Sequence, residues 1–135
     1  MRKRKLIPTI CSYCGVGCSY YIEVEHGKAV NIEYMTDHPV CNGRLCSKGN
    51  AAIEVLNHPD RLTHPLKKGK GSFQKISWDE ALDTVADKLK ATIKDYSPSS
   101  LAFLTSAKCT NEENYLFQKM VRMLGSNNID HCARL

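Results

Sequence analysis

Cys11, Cys14 and Cys18 stand in the spacing C-x2-C-x3-C on a stretch that also carries Gly15 and Gly17. Glycine lets a backbone fold tightly, so three sulfurs can converge while amides point at them. Thiolates so gathered bind metal. A [4Fe–4S] cluster takes four of them, one per iron, so a fourth ligand has to come from farther along. The candidates are Cys41 and Cys46. Cys46 is favoured: it lies in Gly43-Arg44-Leu45-Cys46-Ser47-Lys48-Gly49, a glycine-flanked turn that follows a hairpin able to bring the chain back. Structural zinc also takes four cysteines, but its second knuckle would be Cys41-x4-Cys46, a loose spacing. Iron–sulfur is the favoured reading, zinc the alternative, and disulfides or inert core thiols the remainder.

The elements that must position these sulfurs follow from local pattern. Tyr20-Tyr21-Ile22-Glu23-Val24 and Ala29-Val30-Asn31-Ile32-Glu33 alternate in part and flank Glu25-His26-Gly27-Lys28, which predicts a β-hairpin. A short helix is expected over residues 48–56, ended before Pro59. A second hairpin is expected around Lys67-Lys68-Gly69-Lys70-Gly71, with residues 73–76 as its return strand. Ser77 and Glu80 make a capping box, in which Ser77 caps the helix and Glu80 reaches back to it. Leu82, Val85, Ala86, Leu89 and Ile93 then recur at helical spacing, up to a stop at Ser97-Pro98. Residues 101–104 are a short unalternated apolar run, the pattern of a strand buried on both faces. Thr110 and Glu113 form a second capping box. It opens a helix whose buried face includes Phe117, Met120, Val121 and Leu124, with Gly125 as its stop. An extended piece near residues 128–130 completes a βαβ start. The fold expected is thus mixed α+β and α/β. A small β-rich domain over residues 1–62 precedes residues 63–135, the opening βαβ of a larger α/β domain.

Size and composition narrow the class. The chain has 135 residues, seven of them cysteine, a formal net charge of +5, and 42% hydrophobic residues, enough for a modest core. No apolar run approaches the roughly 20 residues of a membrane span, and no signal-peptide core is present. Arg2 and Arg4 are not a twin-arginine pair. A cytoplasmic location and metal-bound thiols are the economical expectation for an odd cysteine count without an export signal. Bound thiolates would cancel much of the positive charge, so the charge carries little weight as a sign of nucleic-acid binding.

Ile10-Cys11-Ser12-Tyr13-Cys14-Gly15-Val16-Gly17-Cys18 and Gly43-Arg44-Leu45-Cys46-Ser47-Lys48-Gly49 resemble the iron–sulfur domain of the molybdopterin oxidoreductases. The stretch from Ser106 to Tyr115 and the run Asn127-Asn128-Ile129-Asp130-His131-Cys132-Ala133-Arg134 narrow the resemblance to the formate dehydrogenases. The likeness runs from about Pro8 to Leu135. It implies that Cys11, Cys14, Cys18 and Cys46 hold a [4Fe–4S] cluster, and that Lys48 is the lysine between the cluster and the pterin cofactor. A cation there can hydrogen-bond the pterin and stabilise negative charge as electrons cross. It further implies a molybdenum or tungsten bis(molybdopterin guanine dinucleotide) centre in the complete protein and formate as its substrate. The partners implied are the remainder of the catalytic subunit and an electron-accepting iron–sulfur or flavin subunit.

In that family, the sequence after Asp-His-Cys-Ala-Arg-Leu continues with selenocysteine or cysteine, the protein ligand of the catalytic metal, and then histidine. The expectation is that this chain stops one position short, at a UGA codon, and that it holds no catalytic residue of its own beyond the relay lysine Lys48. Two other readings stand beside this one: a small iron–sulfur electron-transfer subunit of a split enzyme, and a zinc module that contacts nucleic acid through its lysines. Cys41 reads as a spare thiol, Cys109 and Cys132 as buried thiols without a role, and His131 as structural. Lys67, Lys68 and Lys70 read as a solvated turn, and Trp78 as a packing residue.

Overall fold

The computed structural model describes residues 4–133, so Arg2 and the end of the last motif, Arg134 and Leu135, lie outside the described residues. It divides into two compact units. The first gathers the chain up to Arg61 with Thr105–Phe117 and the chain from His131; the second consists of Leu62–Leu104 and Gln118–Asp130.

Alternation of β-branched and aromatic residues builds the sheet of the first unit, an antiparallel array in the order β1 (Lys5–Ile10), β2 (Ser19–Glu25), β3 (Lys28–Tyr34). β2 and β3 are the expected hairpin. Its turn places both His26 and Gly27 at positive φ, 52° and 77°, the mirror-image geometry whose twist matches that of the strands it joins. β1 is an addition to the expected elements. Pro8 interrupts its pattern, and proline is confined to sheet edges because it cannot donate to a ladder. The structure meets that condition: β1 is an edge strand, with Pro8 opposite Tyr21. Arg4 Nη1 donates to Glu23 Oε1 at 2.9 Å across the same pair of strands.

The helix expected over residues 48–56 is two short helices, α1 (Ser47–Asn50) and α2 (Ala52–Asn57), separated at Ala51. Asn57 Nδ2 donates to the Ala29 carbonyl at 2.8 Å and so ties the end of α2 to β3. Between sheet and helices lies the core of this unit: Cys11, Tyr20 and Ala52 are buried, with Tyr13, Cys18, Ile22, Ile32 and Leu45 packed against them.

In the second unit, β4 (Leu66–Lys68) and β5 (Phe73–Lys75) form the expected antiparallel hairpin. α3 (Trp78–Asp95) follows. Its cap forms by half: Ser77 Oγ accepts from Glu80 N at 3.1 Å, but the Glu80 carboxylate accepts from Lys67 Nζ at 3.1 Å instead of reaching back. A full positive charge is the stronger partner for a carboxylate, so Lys67 is half of an ion pair and not wholly solvated. The apolar stripe of α3 has the expected spacing, yet no residue of the helix is buried, and Leu82 is 61% exposed. Trp78, expected to pack, is 66% exposed. An amphipathic helix hides its stripe only against a second layer, and within this unit that layer is missing.

α3 is followed by a 3-10 turn at Pro98–Ser100 and by β6 (Phe103–Thr105), which pairs with β7 (Ile129–His131) in a two-stranded sheet. The expectation of a strand buried on both faces is corrected: Leu104 is 79% exposed, because a two-stranded sheet cannot cover both of its faces. α4 (Asn111–Met123) joins β6 to β7 in sequence and carries a complete capping box. Thr110 N donates to Glu113 Oε2 at 2.7 Å and Glu113 N to Thr110 Oγ1 at 3.2 Å. Val121 on this helix is fully buried, whereas Met120 is 41% exposed. Gly125, at φ 85°, stops the helix where a left-handed residue is needed. Among the described residues no helix is long and apolar enough to cross a membrane.

Candidate metal centre

The cysteine loop is the connection between β1 and β2. Cys11 N donates to the Cys18 carbonyl at 2.8 Å, one step beyond the Ile10–Ser19 pair that ends the ladder. The first and third cysteines are therefore joined at the neck of a loop whose tip carries Cys14. Gly17 sits at φ 78°, a conformation that side chains rarely adopt. Cys11 is buried, while Cys14 and Cys18 are partly buried.

Cys46 reaches the same place from another direction, as the N-cap residue of α1. β3 positions it through a chain of hydrogen bonds. Tyr34 Oη donates to Asn50 Oδ1 at 2.7 Å, Asn50 Nδ2 donates to the Leu45 carbonyl at 3.1 Å, and Asn50 N donates to the Cys46 carbonyl at 3.1 Å. Gly49 is buried under Leu45, and a Cβ there would lie 3.3 Å from the leucine Cβ. The hairpin thus returns the chain to the loop, as its sequence suggests.

Cys11, Cys14, Cys18 and Cys46 line a single cavity of about 60 Å³ together with Lys48 and Lys108. Cys41 stands beside it and not on it. Its buried thiol donates to the Ser19 carbonyl at 3.3 Å and lies 3.6 Å from His38 Nδ1. Four thiol donors around one cavity are the donor set of a four-iron cluster, which takes one thiolate per iron. Among the described residues no three His, Cys, Asp or Glu side chains converge closely enough to hold one metal ion.

Electrostatics set the thiols apart. Burial pushes the Cys18 thiol up, and the neighbouring thiols of Cys41, Cys11, Cys14 and Cys46 push it the same way. Cys46 moves down: the amides of Gly49 and Lys48 face its sulfur, outside strict capping geometry but near enough to favour the thiolate, and the Lys48 charge adds to them. The thiolate is the reactive form. In the cluster-free chain, iodoacetamide therefore modifies Cys46 faster than Cys18 near neutral pH, and the difference narrows as the pH rises. Peptide mass spectrometry of a timed reaction reads this. Equal rates for the two thiols would contradict it.

The remaining candidates scatter. Cys109 is partly buried, but Cys132 is exposed, contrary to the expectation of a buried thiol. Its sulfur accepts from Ala107 N at 3.5 Å and lies 3.6 Å from Ser106 Oγ, and the amide and the hydroxyl hold its pKa down. His131 Nδ1 accepts from Ala133 N at 3.1 Å, a local turn contact. Two residues not singled out from sequence belong to the surroundings of the cavity. Lys108 lines it, and Asn111 Nδ2 donates to the Gly15 carbonyl at the loop tip at 2.8 Å. Both lie in the Ser106–Tyr115 stretch, but nothing in their spacing announces contact with a loop 96 residues away.

Residues 4–58 match the molybdopterin oxidoreductase Fe4S4 domain, and residues 61–135 match the molybdopterin oxidoreductase model. The chain belongs to the molybdopterin oxidoreductase family. It combines that family's Fe4S4 domain with part of its molybdopterin domain, which accounts for a 4Fe–4S cluster and a molybdopterin cofactor. Among curated relatives, it is 47% identical over its whole length to the F420-dependent formate dehydrogenase 2 subunit alpha of Methanococcus maripaludis, of which it covers 20%. It is 46% identical to the F420-dependent formate dehydrogenase subunit alpha of Methanocaldococcus jannaschii, of which it covers 19%. A putative formate dehydrogenase of Staphylococcus aureus is 39% identical and covered to 14%. The chain thus spans a fifth or less of the length of these relatives. Among solved structures, acetylene hydratase from Pelobacter acetylenicus superposes with a TM-score of 0.70 at 30% identity, over 92% of this chain and 18% of that one.

Proposed function

We propose that the chain is the N-terminal, cluster-bearing part of a formate dehydrogenase catalytic subunit, in which Cys11, Cys14, Cys18 and Cys46 hold the [4Fe–4S] cluster and Lys48 stands on the electron path to the pterin. The observation that carries the reading is the gathering of these four thiols and Lys48 around one cavity from two separate elements. The formate dehydrogenase alpha subunits found among the relatives support the substrate. When bound, the cluster accepts and passes on single electrons. The protein's part is to hold it. The Gly49 and Lys48 amides favour the thiolate form of Cys46, and the β1–β2 neck keeps Cys11 and Cys18 together. Tyr20, buried behind the loop, excludes water on that side, and a dry, hydrogen-bonded shell is what tunes a cluster's potential.

In this reading residues 1–62 are the cluster domain, and formate is oxidised at a molybdenum or tungsten centre built by the rest of the subunit. Electrons leave to an iron–sulfur or flavin partner, in the cytoplasm. Anaerobic purification followed by iron, sulfide and zinc analysis tests it. Iron and sulfide in equal amounts, with an EPR signal after reduction, are expected. Zinc in their place overturns the reading in favour of a structural zinc module. Formate-dependent dye reduction is expected from the complete subunit and not from the 135-residue chain by itself; turnover by the chain alone would contradict the assignment of the chemistry to the remainder.

A further inference from the structure

The loop between β6 and α4 is fastened at both ends. Thr105 Oγ1 donates to Asn114 Oδ1 at 2.6 Å, Asn114 Nδ2 donates to the Ser106 carbonyl at 3.3 Å, and Lys108 N donates to Ser106 Oγ at 3.0 Å. At its far end the capping box of Thr110 and Glu113 fixes the entry to α4. The next residue, Asn111, grips the carbonyl of Gly15 at the tip of the cysteine loop. That grip needs a glycine at position 15, because a Cβ there would collide with the Asn111 side-chain oxygen. Lys108, three residues before Asn111, is thereby delivered to the cavity lined by the four cysteines.

We infer that Lys108 is a second cationic positioning residue of the cluster site, which raises the reduction potential of the cluster, with Asn111 as the residue that docks its loop. The inference rests on the reading that the four cysteines hold a [4Fe–4S] cluster. Reduction adds one electron to the cluster and makes or breaks no bond. The centre, already negative through its four thiolates, gains one further negative charge. A fixed positive charge at the cavity wall stabilises the reduced form more than the oxidised one, since the Coulomb energy scales with the charge it faces. Lys48 sits on α1, next to a ligand in sequence; Lys108 arrives from a loop 60 residues farther along. The two lysines enter from different elements, so their effects on the potential are separable. Asn111 acts through Lys108: without its grip the loop is no longer held to the cysteine loop, and the charge moves away.

The experiment is an EPR-monitored redox titration of the intact, cluster-loaded protein, with iron and sulfide measured on each sample. K108Q and Lys108→Met are compared with the charge-retaining K108R and with N111A. Both neutral variants are expected to shift the one-electron equilibrium toward the oxidised form by about tenfold, a fall of about 59 mV. K108R should keep the parent value, and N111A should fall part of the way. Neutral variants with full iron content and the parent potential overturn the inference. A fall shared equally by K108R also overturns it, since the effect would then be steric and not electrostatic. Two neutral variants of different polarity guard against one of them losing its cluster. A parent protein without iron and sulfide would count against the cluster reading itself, a result the metal analysis separates from an unresponsive potential.

Discussion

Cys14→Ser abolishes cluster binding: the purified protein is expected to lose most of its iron and sulfide, whereas Cys109→Ser and Cys132→Ser retain them. Serine preserves the size of the side chain but offers a poor ligand to iron, so the loss isolates ligation from packing. Cys14 is the suitable position because it is only partly buried and lies at the loop tip. Cys41→Ser sharpens the result. Its thiol is buried and close to Cys18, yet it points to the Ser19 carbonyl and not into the cavity. A hydroxyl can replace it as a donor, so Cys41→Ser should keep its iron. Loss of iron from Cys41→Ser with retention by Cys46→Ser would move the fourth ligand from position 46 to position 41. Cys14→Ser should also lower thermal stability, because for a site that forms only in the folded state the binding free energy is folding free energy, on the order of 10 kcal/mol for structural zinc.

Tyr20→Ala is expected to cost about 3–5 kcal/mol, the range for truncating a buried aromatic residue. Few residues of the first unit are fully shielded: Tyr20 at 3% exposure and Cys11 at 5% stand with Ala52 at the centre of its core. Small domains have only about 5–15 kcal/mol of stability, so this loss removes a large share of it and lowers the unfolding temperature. It should also weaken cluster retention, because Tyr20 packs behind Cys11. Thermal unfolding followed by circular dichroism, with iron content, reads both effects. Tyr20→Phe serves as the control. Burial raises the pKa of the Tyr20 phenol, so the ring and not an ionised oxygen serves the core, and removing the hydroxyl should be mild. A Tyr20→Ala protein as stable as its parent would mean that the sheet does not depend on this core.

Much of the architecture was legible in short stretches of sequence. The β2–β3 hairpin, the cap of Ser77, the capping box of Thr110 and Glu113, and the stop at Gly125 are each written within a few residues, because turns and caps are made by groups that are neighbours along the chain. The cysteine spacing C-x2-C-x3-C belongs to this class too, since three of the four thiols need only one loop to meet. Sequence was weakest where burial decides. α3 has the pattern of a buried helix, yet Leu82 and Trp78 are exposed, because periodicity reports a face that could be covered and not what covers it. β1 is not legible locally, because Pro8 interrupts its pattern and only a place at the sheet edge makes that residue tolerable.

The sequence alone therefore pointed to the kind of chemistry, thiolate ligation of a metal cluster, and to the residues proposed to perform it. Only the tertiary structure decided which of those residues share a cavity. It put Cys46 on the cavity and Cys41 beside it, although only five positions separate them, because the Tyr34–Asn50–Leu45 hydrogen bonds orient the turn. It also brought Lys108 and Asn111 to the cysteine loop across about a hundred positions of chain. Contacts of that separation depend on how whole elements pack, a property that no local window of residues contains.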